Sequence, residues 1–442
     1  MKLLLTMLAY LASLRASKHE EFSQKDVDSV ILQYKSHLEE YFKNLDEDKI
    51  KTGFIKDIVI DKSKDVPEKN ILVWDLGGSF FKLCFVKIKI INGKISCRSG
   101  APKNISYPQV SDETRKIHWE DWAVENMLEF VKEQNIIPDS SSLIVSYPLK
   151  YDGEGDASVE RFTKFFCFNN TTSDKKIISS IQESINKQVS TQFPDCKLSR
   201  KELLDRLTVK TVLNDSVANY FSSKYKETAF GIGIILGTGT NAAFPVTLNG
   251  QRYVFNSEWG SFEPKGLPYI KEEIEIYNDM CKEFTNVNFL DVIAANGCKF
   301  DLLNRILGRK ENLITKDNYK ELLLEDSPLY DVLMKRSKQI IAGMTWAVIS
   351  INKPQECCNL ECLTKECLSK ENWINDCSRF ECLIVTNGSG FDNVVECKNF
   401  EEIMEVKPED LENVNLVFYR DTGLTITGSA LYTLHYLMKN NN

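Results

Sequence analysis

Between residues 22 and 42 the stretch FSQKDVDSVILQYKSHLEEYF sets Val27, Val30, Ile31, Tyr34, Leu38 and Tyr41 on one face of a helix, with Ser23 or Asp26 placed to cap it. The breaker-rich DKSKDVPEKN follows, and the pattern then changes to continuous apolar runs. ILVWDLGGSFFKLCFV, residues 71–86, has the form of two buried strands interrupted by an acid and two glycines, and Asn92-Gly93 marks a hairpin turn beyond them. A helix is predicted at DWAVENMLEFVKEQN and a buried strand at SLIVSYP. A second set begins near Val209, with a strand TVKTVL, a helix SVANYFSSKY and a strand pair around GIGIILGTGTNAAFPV. The chain after Pro264 is mostly helical by pattern, and SALYTLHYLMKN closes it as a helix. Mixed strands and helices in two successive sets predict an α/β protein of two lobes.

One layout occurs twice. VWDLGGSFFKLCFV and GIILGTGTNAAFPV both run apolar strand, glycine-rich turn with a hydroxyl residue, apolar strand. Either turn alone is better explained by a structural hairpin. As a matched pair they favour phosphate, because glycine turns let successive N–H groups point at one anion and no Cβ blocks its approach.

Charge and composition narrow the partners. A net charge of −8 over 442 residues argues against nucleic acid, whose backbone calls for a basic surface. The N-terminus has a lysine, an apolar run from Leu3 to Leu14 and then small residues, the order of a secretory signal peptide over residues 1–16. That predicts a secreted protein. The rival is an uncleaved helix on a cytoplasmic protein, touching a membrane surface. Six of the 13 cysteines crowd between Cys357 and Cys382, as a disulfide-tied loop in an oxidising compartment or a reduced surface loop otherwise. Zinc is disfavoured there, since no histidine is near and no CxxC pair occurs. Sequons begin at Asn104, Asn169, Asn170, Asn214 and Asn387. His19, His37, His118 and His435 lie outside every motif, which argues against histidine-based catalysis.

Six motifs, in order, resemble those of the eukaryotic hexokinase and glucokinase family: DLGGSFFKL, SYPLK, RFTKFF, VLNDSVA, LGTGTNAA and NSEWGSF. The resemblance spans nearly all of the chain after the leader. It implies the two-lobed actin-like ATPase (ribonuclease H-like) fold of sugar kinases, with a cleft between the lobes. Residues 20–207 would form the small lobe and 208–438 the large one, the C-terminal helix packing back on the small lobe. It further implies transfer of the γ-phosphoryl group of ATP, with Mg2+, to the 6-hydroxyl of a hexose, of which glucose, mannose and fructose are candidates. Asp215 would be the base, although Asp before Ser-Val-Ala also suits a helix cap. Ser146, Thr163, Lys164, Asn214, Asn241, Glu258 and Asp291 would hold the sugar, with Lys164 also reaching the γ-phosphate. Gly77, Gly78 and Ser79 would form one phosphate cradle and Gly237, Thr238 and Gly239 the other, with Lys82 beside the first. Asp75 would hold magnesium through water. Gly388 and Ser389 match the family's adenosine loop, and Gly343 its close helix approach to the nucleotide. A monomer or a dimer is equally compatible with the sequence.

The chain also departs from the family. Phe80 stands where the family has asparagine, and Lys82 where it has arginine, which loses the bidentate fork. Phe162 replaces the tryptophan before Thr163. These changes leave a second possibility, a catalytically impaired relative that binds sugar and acts as a sensor.

Overall fold

The computed structural model describes residues 20–440, apart from 153–154, 163–166, 170–174, 195, 227–229, 285–286, 312, 316–317, 319–327, 353–379, 389–390, 392–393 and 420–422. The leader, Thr163, Lys164, Ser389 and the cysteines from Cys357 to Cys377 therefore lie outside the described residues.

The chain enters through α1 (Gln24–Lys43), α2 (Glu47–Gly53) and β1 (Phe54–Lys56), then runs through β2 (Val66–Leu76), β3 (Phe80–Ile91), β4 (Lys94–Ser99) and β5 (Lys103–Ser106). Helix α3 (Trp119–Gln134) leads to β6 (Ser140–Val145) and the small pair β7 (Leu149–Tyr151) and β8 (Ala157–Val159). Helices α4 (Ile177–Gln192) and α5 (Arg200–Leu207) precede β9 (Val209–Asn214), which passes directly into α6 (Asp215–Ser222). Next come β10 (Phe230–Leu236), β11 (Thr240–Leu248) and β12 (Gln251–Asn256), then α7 (Lys271–Glu283), α8 (Phe289–Ile293), α9 (Lys299–Ile306) and α10 (Pro328–Asn352). The last elements are β13 (Phe380–Asn387), α11 (Val394–Glu405), β14 (Val414–Tyr419) and α12 (Leu424–Asn440).

The strands form two sheets with one shared order. The first runs β4-β3-β2-β6-β9, with β5 also on β3; the second runs β12-β11-β10-β13-β14, with β1 added at its edge. Each is an antiparallel meander followed by two parallel strands. The repeated glycine layout is the first hairpin of each sheet. A helix follows the last strand of each, α6 after β9 and α12 after β14. This is the two-lobed actin-like ATPase fold.

The hairpin at Asn92-Gly93 forms as predicted, both residues at positive φ. Helix α1 is capped by Ser23, with Asp26 closing a capping box, and buries Val27, Val30, Ile31, Tyr34 and Leu38. Its place needs a correction, however. The apolar face packs on α10, in the core of the second lobe, so the first lobe does not begin at residue 20. The cut at 207/208 also falls one strand early, because β9 completes the first sheet in parallel with β6. Helix α12 returns to the first core through Ile426, Ala430, Leu431 and Leu434. Cys382 is a fully buried thiol in β13 rather than part of a surface loop. Among the described residues no cysteine is disulfide-bonded, and no helix is long and apolar enough to cross a membrane.

Helices α6 and α12 cross in backbone contact. A Cβ on Gly428 would lie 1.7 Å from the Ala218 carbonyl oxygen. Alanine in a helix ordinarily gains about 1 kcal/mol over glycine. Here overpacking against a backbone that cannot yield outweighs that gain. Gly428→Ala is expected to lose about 3 kcal/mol of stability in urea unfolding, near the upper end for overpacked cores. An unchanged midpoint would mean the helices do not touch.

Candidate active site

The glycine turns and the ends of β6, β9 and β13 face one cleft of about 340 Å³ between the lobes. Ligands in open α/β sheets bind beyond the carboxyl ends of strands, and Ser146, Asn214 and Asn387 lie there.

The first turn is closed by Gly77 N–H donating to the Phe80 carbonyl at 3.2 Å, and is held from behind by Tyr107, whose hydroxyl donates to the Gly77 carbonyl at 2.7 Å. Burial pushes the Tyr107 phenol far up, so it stays a donor. Asp75 and Lys82 are direct cross-strand partners, Nζ to Oδ2 3.1 Å, with the Asp75 side chain nearly buried. Phe80 turns a 37% exposed ring into the cleft. The second turn is closed by Gly237 N–H to the Gly239 carbonyl at 2.8 Å. The two turns meet, Ser79 Oγ and Thr238 Oγ1 lying 3.2 Å apart across 159 residues of sequence.

Asp215 is the first residue of α6, and the cap is its neighbour. By position Asn214 is the N-cap, and the Ser216 N–H is shared between Asn214 Oδ1 at 2.9 Å and Asp215 Oδ1 at 2.8 Å. Asn214 is 1% exposed. Its Nδ2 donates to the carbonyls of Val145 and Tyr147, and its backbone N–H donates to the Tyr151 hydroxyl at 3.1 Å. An asparagine so enclosed is no glycosylation acceptor.

From the second lobe, Asn241 Nδ2 reaches Asn214 Oδ1 at 3.3 Å, Asn256 Oδ1 at 2.8 Å and Glu258 Oε1 at 3.1 Å. Asn256 Nδ2 donates to the same glutamate oxygen at 2.8 Å. Glu258 sits in left-handed backbone, φ 46°. Trp259 beside it is fully buried and donates its indole N–H to Thr240 Oγ1.

Asp291 lines the cleft as expected, and its oxygens also accept from Thr240 N–H at 2.8 Å and Asn288 Nδ2 at 3.0 Å, so it holds the second glycine turn as well. Gly343 is not in the cleft. It lies in α10, where a Cβ would meet Val30 of α1 at 3.0 Å, so it serves packing and not nucleotide approach. Gly388 does belong to the site: at φ +105° it lies against the Leu236 carbonyl and Gly237, where no Cβ fits. Thr163 and Lys164 fall outside the described residues, although Phe162 just before them packs on Tyr147 at 5.4 Å between ring centroids. Sequence reasoning missed Tyr107, Tyr151 and Asn256. Only Asn256 carried a signal, as the first residue of NSEWG.

The donor set suits a hard cation brought in with a polyphosphate. Asp75 offers a carboxylate, and Ser79 and Thr238 offer hydroxyls beside it, an arrangement fitting magnesium that keeps most of its waters. Among the described residues no cluster of three or more metal-ligating side chains exists.

A hexokinase family profile matches residues 18–225. Hexokinase-1 of Solanum tuberosum is 27% identical over 144 residues, 30% of this chain and 26% of that protein. Hexokinase-1 of Nicotiana tabacum is 25% identical over 213 residues, 44% of this chain and 39% of that one. These matches therefore span well under half the length of either relative. Over the whole chain the fold is similar to that of a Schistosoma mansoni hexokinase solved with glucose, TM-score 0.66 at 15% identity, covering 97% of this chain and 98% of that one. A second hexokinase structure gives 0.62 at 16% identity, with 96% and 99% coverage.

Tyr151→Phe keeps the ring and removes the acceptor for the buried Asn214 N–H. An unsatisfied buried donor costs about 1–3 kcal/mol, and urea unfolding should show a loss of that size. A loss below the measurement error would mean that Asn214 finds another acceptor.

Proposed function

We propose that the chain is a divergent member of the hexokinase family and an ATP-dependent hexokinase, transferring the γ-phosphoryl group of MgATP to the 6-hydroxyl of a hexose, with glucose the first candidate; the family profile over residues 18–225 and the shared fold support this. The observation that carries this is Asp215. Its carboxylate lines the cleft from the start of α6, between an amide-rich wall and the paired glycine turns, with Oδ1 accepting the Ser216 N–H at 2.8 Å.

The wall supplies what a polyhydroxy ligand needs. Asn214, Asn241, Asn256 and Glu258 hold one another in fixed orientations, and a site built from oriented donors and acceptors rejects analogues that lack a hydroxyl. Asp215 takes the proton of the acceptor hydroxyl as that oxygen bonds to the γ-phosphorus and the bond to the bridging oxygen of ADP breaks. The N–H groups of Gly78, Ser79, Thr238 and Gly239, beyond those of Gly77 and Gly237 that close the turns, are the donors for phosphate oxygens, and Lys82 adds charge beside the first turn. Magnesium, when bound with the nucleotide beside Asp75, Ser79 and Thr238, supplies charge neutralisation.

Phe80 favours a second reading. It presents an apolar ring where a polar group would serve the phosphates, which suits a sugar-binding relative without turnover.

One assay decides between them: glucose-dependent ADP release by the chain lacking residues 1–16, beside Asp215→Ala. The hexokinase reading expects the parent to turn over and the variant to lose about 10²–10⁴-fold in kcat, the usual contribution of a positioned base, with glucose still raising Tm in both. An inactive parent whose Tm glucose still raises would point to the sugar-binding relative.

A further inference from the structure

The segment from Phe289 to Lys299 lies under the second glycine turn and holds it at three points. Thr240 N–H donates to Asp291 Oδ1 at 2.8 Å, and Asn296 N–H donates to the Gly237 carbonyl at 2.8 Å. Gly297 lies so close beneath Thr238 that a Cβ there would be 2.5 Å from the Thr238 carbonyl oxygen. The segment is itself secured by a cation. Lys299 is 2% exposed, and its Nζ donates to the carbonyl of Ile293, the last residue of α8, at 2.6 Å. Carbonyls at a helix end lack intrahelical partners, and a positive charge there meets the negative end of the peptide dipoles.

A lysine in a core is costly. The charged groups facing Lys299 are Glu273 of α7 and Arg336 of α10, both buried and joined to each other at 3.3 Å, with the Cys298 thiol adjacent. Burial brings the ammonium down to about 8, the Glu273 carboxylate opposing that and Arg336 adding to it. Methionine would fill much the same volume without the desolvation cost. A buried charge kept at that cost, at the root of the segment that shapes a glycine turn, points to the turn.

We propose that Lys299 is a positioning residue for the nucleotide site: its ammonium fixes the end of α8, so that Asp291, Asn296 and Gly297 hold Gly237–Thr240 in the shape that receives the phosphates. This rests on the MgATP reading of the glycine turns. The role is indirect, since Lys299 does not line the cleft.

The test is calorimetric binding of the magnesium complex of a non-hydrolysable ATP analogue, with glucose present, to the parent and to Lys299→Met. The parent is expected to bind the analogue more weakly as pH rises through about 8, where the folded-state ammonium loses its proton. Lys299→Met should bind roughly tenfold more weakly at neutral pH, the size expected for one charged hydrogen bond lost, and without that pH dependence. Its glucose affinity should match the parent's. Its Tm should be unchanged or higher: the pKa is lower folded than unfolded, so the buried charge weighs against the fold below about 8, and stability rises with pH between the two values. A purely structural lysine predicts the reverse, a lower Tm with unchanged nucleotide affinity. Parent-like affinity and pH profile in the variant overturn the proposal and leave the MgATP reading standing. A parent that binds glucose but no analogue overturns both.

Discussion

The active-site geometry depends on how α6 is gripped. The helix leaves the first sheet at Asn214 and lies against the second. On that side a Cβ on Gly233 of β10 would lie 2.3 Å from the Tyr220 nitrogen and 2.7 Å from the Ser216 carbonyl oxygen, and one on Gly231 would lie 2.7 Å from Ser223 Oγ. On the other side Gly428 of α12 touches the Ala218 backbone. Alternate residues of a strand point to one face, so Gly231 and Gly233 together clear a flat strip for the helix. Helix α12 makes the opposite exchange, leaving the second sheet at β14 and packing on the first. The duplicated halves thus trade their final helices, and the two helices meet at their backbones. Main-chain contact leaves no side-chain rotamer to absorb movement. Asp215, at the first residue of α6, inherits the rigidity of that joint.

The amide wall adds a second constraint, across the lobes. Buried polar groups need partners, and Asn241, Asn256 and Glu258 find theirs largely in one another, while Asn214 is also held by the Val145 and Tyr147 carbonyls. Asn214 comes from the end of a first-lobe strand; Asn241, Asn256 and Glu258 come from the second-lobe meander. The contact from Asn241 to Asn214 therefore ties the lobes together within the cleft. Glu258 holds a left-handed backbone conformation that costs a non-glycine residue about 1–3 kcal/mol. The neighbours that enforce it are specific: Ser257 N–H bonds the Ala242 carbonyl, and Trp259 is anchored on Thr240.

The legible features of the sequence are the local ones. Glycine turns between apolar strands, the Asn92-Gly93 hairpin and the Ser23 cap are each written in a few adjacent residues. The duplication shows in the strand-turn-strand layout, because both halves need the same hairpin. Partners distant in sequence are another matter. Nothing in α1 says that its apolar face will seek α10, more than 280 residues away, rather than the strands that follow it. For the same reason Gly343 resembles a nucleotide contact in isolation and becomes a packing glycine once Val30 is beside it. Tyr151 and Lys299 carry no local pattern at all; one is a strand tyrosine and the other a helix lysine until the fold buries them against Asn214 and Ile293. Asp291 shows an intermediate case. Its place in the cleft follows from the motif, but its hydrogen bonds to Thr240 and Asn288 do not.

The cleft's own charges bear on how a polyphosphate could enter it. Asp75, Asp215, Glu258 and Asp291 all line it, and among its described lining residues Lys82 is the one cation. All four have partners: Asp75 pairs with Lys82, Asp215 accepts from the Ser216 N–H, Glu258 accepts from two asparagine amides, and Asp291 accepts from a backbone N–H and an amide. Lys82 offsets the charge of Asp75, but the other contacts satisfy oxygens without cancelling charge, since amides and N–H groups are neutral. A bare polyanion would meet a negative wall. One already complexed to a divalent cation would not, and the hard oxygens beside the first turn suit such a cation. The same logic separates the roles of the neighbouring Asn214 and Asp215. The neutral amide can cap α6, bond the β6 carbonyls and join the wall at no electrostatic cost. Its charged neighbour Asp215 shares the Ser216 N–H and lines the cleft.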